Sequence, residues 1–164
     1  MNSKAIGIFG AVLAAAVGVL ATPAQAHHSF AIFDSETTKV FTGVVTRVNP
    51  DANHLQIFFA PMTEDRKGVE RGPDGKPVIW AVEMEGSAQA ATMGISVNSF
   101  PPGTVFSVAL HPLRSGEPAG SRRDTGAIYK CPGRMTPDPG KNCDTVEGHT
   151  MIGTGPLPEP TPVK

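Results

Sequence analysis

The chain has 164 residues, with 14 Lys and Arg against 15 Asp and Glu and a formal net charge of −1. That near-neutral balance gives no electrostatic footprint for nucleic acid and no polybasic membrane patch. The 18 Gly and 16 Pro are crowded toward the last third, which predicts loops and a tail there rather than regular structure.

The first element in chain order is a leader. Lys4 precedes an apolar run over residues 5–21, and Ala24-Gln25-Ala26 follows as a small-x-small end. These are the parts of a secretory signal peptide, with the cut expected after Ala26. The apolar run is at the lower limit for a membrane span and is rich in Ala and Gly, so cleavage is preferred over a retained anchor. The expected product is periplasmic or secreted, starts at His27 and keeps no membrane anchor. Losing Lys4 moves the net charge from −1 to about −2.

Behind the leader, Phe30 and Phe33 are expected to anchor the new terminus. Residues 37–49, TTKVFTGVVTRVN, alternate and are rich in β-branched side chains, which predicts a long strand with a bend or bulge at Gly43. Asn49-Pro50-Asp51 is a turn, and residues 54–60, HLQIFFA, form a second strand. Gly72-Pro73-Asp74-Gly75 closes a polar connection. Residues 78–84 form a third strand, with Val78, Trp80, Val82 and Met84 on one face and Ile79, Ala81 and Glu83 on the other. Ser87 is expected to cap a two-turn helix that Gly94 terminates. Residues 104–110 form a fourth strand. A fifth is expected at 126–130 or near Met151. The Pro-rich segment 154–164 reads as an extended, flexible tail.

Three strands, a short helix and one or two further strands give an all-β protein, a small OB-like barrel of about five strands. The expected layout is a signal peptide at 1–26, a barrel domain at 27–153 and the tail at 154–164. Cys131 and Cys143 are the only cysteines. In an exported chain they are expected to form a disulfide closing the Pro- and Gly-rich loop 131–143. A thiolate metal site is the alternative, with His149 as its local partner.

The ordered set His27-His28-Ser29-Phe30, Gly43-Val44-Val45, Asn49-Pro50, Trp80-Ala81-Val82-Glu83 and Pro102-Gly103-Thr104-Val105 resembles an exported bacterial family classed as a domain of unknown function. The likeness spans roughly residues 27–115. Here Asp51-Ala52-Asn53 separates Pro50 from His54, where the family places His directly after Pro. The resemblance implies export and a small β fold, and no activity.

Four histidines are candidate metal ligands: His27, His28, His54 and His111. An α-amine and the imidazole of the same residue chelate, and a third nitrogen completes a brace suited to Cu(II). Copper is therefore the one cofactor the sequence suggests. The competing reading of His27 and His28 is a solvated, frayed terminus. Glu83 or Glu85 beside Trp80 would serve as acid or base if it faced the interior, whereas a solvated outer face is preferred. Trp80, Phe58 and Phe59 read as core, or else as a barrel mouth holding a small ligand. His111-Pro112-Leu113-Arg114 would meet an anion at a strand end, and Arg122, Arg123 and Arg134 read as surface charges. No nucleophile elbow, phosphate loop or dinucleotide fingerprint is present. The expected function is non-enzymatic: binding of a metal ion or small ligand, or service as an accessory to an exported partner. The alternatives are a ligand-free interaction module and a Glu/His acid–base enzyme.

Overall fold

The computed structural model describes residues 30–50 and 53–163, the side chain of Phe30 excepted. The leader, His27 and His28 lie outside the described residues. A 3₁₀ turn at Phe30–Ile32 leads into β1 (Lys39–Asn49), β2 (His54–Pro61), β3 (Trp80–Gly86), α1 (Ser87–Thr92), β4 (Val105–Pro112), β5 (Ala119–Ser121), β6 (Ile128–Lys130) and β7 (Thr150–Ile152). The protein is all-β with one short helix.

Five strands pair in a ring, β1–β2–β3–β5–β4 and back to β1. The β3–β5 pairing is parallel and the others are antiparallel. Closure runs through β5, which is only three residues long, so the ring is thin at that point. Beyond β5, the same edge of β4 carries β6, and β7 adds to β6.

Alternation decides what lies inside. Phe41, Leu55, Ile57, Phe59, Trp80, Val82, Met84, Phe106, Val108 and Leu110 point inward and form one buried cluster. Phe59 is at its centre, meeting Phe106 edge-on at 5.3 Å and Phe41 at 5.9 Å. Ala90, Ile95 and Phe100, from α1 and the segment after it, join the same cluster.

The outward faces of β1 and β4 are covered too. Val40, Val105 and Ala109 pack with Met62, Tyr129, Leu157 and the Cys131–Cys143 disulfide in a second cluster. Thr42 and Ser107, which alternation would put in water, are buried at 1% and 0% exposure. They are satisfied as a circuit. The two hydroxyls lie 2.7 Å apart, Cys143 N–H donates to Ser107 Oγ, and Thr42 Oγ1 approaches Asn142 Oδ1. Asn142 Nδ2 then donates to Pro158 O. The last segment is extended and docked. Thr161 N–H donates to Val40 O at 2.9 Å, and Val40 N–H to Thr161 Oγ1. It occupies the edge of β1 at a point before the pairing with β2 begins at Gly43.

Three local expectations are corrected. The irregularity in β1 falls between Val45 and Arg47, not at Gly43. Gly43 is needed for close approach instead, because a Cβ there would stand 2.5 Å from the Phe59 ring. Ser87 makes no cap; its hydroxyl donates to Pro50 O and ties the helix to the end of β1. Arg122, read as a surface charge, is 6% exposed, because it pairs with Glu85 and donates to Gly126 O.

Candidate functional site

β5 places the polar residues of the outer face. Its Ser121 pairs across the sheet with His111 of β4 on one side and Glu83 of β3 on the other, and Glu83 pairs with Gln56 of β2. Cross-strand partners share a face. His111, Ser121, Glu83 and Gln56 therefore form one outward row, with His54 two residues along β2 from Gln56. Glu83 is on the outer face, as preferred, but its side chain is only 18% exposed, and Trp80 lies in the core at 8% exposure. Phe59 is core, while Phe58 is on the outer face under the Arg47 guanidinium, 4.0 Å from its ring.

Two adjoining cavities of about 320 and 310 Å³ flank this row and share Ser121, Arg123 and Asp124. The first is lined by Ala31, Phe33, Ser35, His111 and Arg114. The second is lined by His54, Met84, Glu85 and Gln89. His111 thus lines one cavity and His54 its neighbour. His54 Nδ1–H donates to Met84 O at 3.1 Å and lies 3.8 Å from Glu83 Oε1, beyond hydrogen-bond reach. The second cavity is lined by Glu85, whose carboxylate is engaged by Arg122.

His111 Nδ1–H donates to Thr37 O at 2.8 Å. A carbonyl can only accept, so this bond fixes the tautomer and leaves Nε2 as the basic nitrogen. A metal-ligating imidazole is held in the same manner, through its other nitrogen. The N-terminal segment is fastened beside it. Phe33 bridges to Leu113, Asp34 N–H donates to Pro112 O, and Arg114 N–H donates to Ile32 O. Arg114 also donates through Nε to Ala31 O and lies 3.6 Å from Asp34. Asp34 accepts from Thr37 Oγ1 at 2.7 Å. That bond, with the Glu36 amide, Arg114 and His111, holds its carboxyl below the ordinary range.

Among the described residues, no three His, Cys, Asp or Glu side chains converge in a metal-holding group. Cys131 and Cys143 form a disulfide with Cα atoms 5.0 Å apart, so neither thiolate is available for a metal. His149 donates to Val146 O and rests edge-on against Tyr129. Arg123 and Arg134 are exposed, as expected. Sequence reasoning missed Ser121, because β5 is too short and too small in side chain to read as a strand, and with it Asp124 in the turn that follows.

The family model described as "Family of unknown function (DUF6152)" matches residues 15–122, and the chain belongs to that family. No curated protein and no solved structure matches the chain.

Proposed function

We propose that the protein is an exported, non-enzymatic copper-binding protein, cut after Ala26, whose mature terminus chelates Cu(II) with His111 as the further ligand. One observation carries this reading. Ala31 and His111 line the same cavity, and His111 is held through Nδ1 with Nε2 left as the basic nitrogen. Four residues of extended chain reach about 13 Å, enough for His27 to come back from Ala31 to that ring.

The donor set fits the ion. The α-amine and Nδ1 of His27 are four bonds apart and close a six-membered chelate ring, and Nε2 of His111 offers a third nitrogen, a set that suits Cu(II). His28 would contribute its amide or ring, and His54, in the adjoining cavity, is a less direct ligand. When bound, the ion supplies the positive charge that holds the terminus against the ring. The protein's part is to present three nitrogens and to anchor Ala31 through Arg114.

The test is calorimetric titration of Cu(II) into two forms of the mature chain. The form starting at His27 is expected to bind at micromolar affinity or tighter, and a form with one extra residue before His27 is expected to lose that binding. His111→Ala should weaken binding by more than about tenfold, the least that loss of a second-shell group costs a metal site. Equal binding by all forms would reject the assignment. A ligand-free interaction module would need a continuous apolar surface. Among the described residues, the large exposed apolar side chains, Ile32, Ile79, Val97, Met135 and Met151, come from five separate segments of the sequence.

A further inference from the structure

A third cavity, about 350 Å³, lies between the turn that carries Arg66, the disulfide loop and the docked tail. Arg66 has φ of 59°, in the left-handed region that a non-glycine residue enters at a cost. Its side chain is buried, with the residue 8% exposed. The guanidinium donates to Thr63 O and to Lys141 O at 2.6 Å, yet its Nε–H reaches no acceptor. Burial pushes it below its ordinary value, opposed by the Glu64 carboxylate, which lines the same cavity. A buried donor left without an acceptor is costly.

The same cavity holds the complementary gap. Asp144 lines it, and its buried Oδ1 accepts no hydrogen bond. Asp144 sits in the 3₁₀ turn Cys143–Thr145, so the disulfide and the Cys143 N–H bond to Ser107 fix its position. One wall thus has a donor without an acceptor, and another has an acceptor without a donor.

We propose that this cavity is a binding site for a small zwitterion of the α-amino-acid type, its carboxylate on Arg66 Nε and its ammonium on Asp144 Oδ1. A charged hydrogen bond at each end answers both orphaned atoms, and the volume suits a ligand of that size. Residues 157–163 line the cavity as a strap. Both orphaned atoms are out of reach of solvent, so the strap must lift from Val40 before a ligand in the cavity reaches them. The bonds that must open are the two between Thr161 and Val40 and the one from Asn142 to Pro158. The proposal is independent of the copper reading, which concerns other residues.

The experiment is NMR titration of the mature, oxidised protein with glycine, L-alanine and L-glutamine, and in parallel with acetate and with ethylamine. At least one amino acid is expected to shift the amides of Arg66, Asp144 and Thr161, and neither acetate nor ethylamine alone should match it. Arg66→Lys and Asp144→Asn should each weaken that binding by about tenfold or more, the loss expected for one charged hydrogen bond, with melting temperatures near that of the parent. A crystal structure of protein soaked in the amino acids supplies the second readout. The proposal fails if no amino acid shifts those amides, if acetate binds as well as the amino acids and Asp144→Asn has no effect, or if only ordered waters occupy Arg66 Nε and Asp144 Oδ1.

Discussion

Gly120 is the residue on which the placement of His111 turns. A Cβ at that position would lie 2.5 Å from His111 O and 2.5 Å from Leu110 Cδ1. Gly120→Ala should therefore push β5 off β4 and cost about 1–3 kcal/mol, as overpacking does. Urea denaturation of the variant measures it, and an unchanged midpoint would refute the close approach. Asp34 makes a pH-dependent clamp nearby. Its carboxyl is held below the ordinary range chiefly by the Thr37 hydroxyl, so its contribution is present above the ordinary Asp pKa and is lost as pH falls through the lowered value. Hydrogen exchange at the Asp34 and Arg114 amides should accelerate in that acidic window, and Asp34→Asn should remove the pH dependence. At this scale the sequence was informative where alternation operates: Trp80 inside and Glu83 outside followed from period two alone. It was silent on Arg122, whose partner Glu85 lies 37 positions away, because an arginine's burial depends on a counter-charge that no local pattern announces.

Among the elements, the first four strands and the helix were legible because each carries a run of β-branched or apolar residues, or a helix former between glycines. β5 was not. Ala119-Gly120-Ser121 has no apolar signature, and its role as the strand that closes the ring rests on two neighbours that pair with it. Residues 126–130 and the stretch near Met151 were offered as alternatives for one late strand, and both are strands. The buried sides of Thr42 and Ser107 could not be foreseen either, since a cover formed more than thirty residues later in the chain is invisible to periodicity. The disulfide that holds this cover closes a loop of about 13 residues and should contribute about 3 kcal/mol on the chain-entropy account. Reduction, or paired Cys131→Ser and Cys143→Ser replacement, should lower stability by that order. It should also speed exchange at the Thr161 amide, which the strap protects. Unchanged exchange would show that the strap is held without the disulfide.

For the whole molecule, a ring of strands encloses a packed apolar core, and polar groups line cavities on its outer side. His111 lines a cavity beside the anchored start of the described chain, and His54 lines the adjoining one. A separate cavity lies under the strap at the other terminus. Both terminal segments are thus fastened to the ring next to residues able to bind, and function is assigned to those junctions rather than to the interior, which is filled by side chains. The candidate ligands His54 and His111 were named from residue type alone. What the sequence lacked was their relation, which needs β5 and the docking of residues 31–34 against β4. The most direct test is intact mass and metal analysis of the protein recovered after export. The account predicts a chain that starts at His27 with the Cys131–Cys143 bond closed, which carries copper or takes up Cu(II) stoichiometrically. A retained leader, or a His27 terminus that takes up no Cu(II), would contradict it.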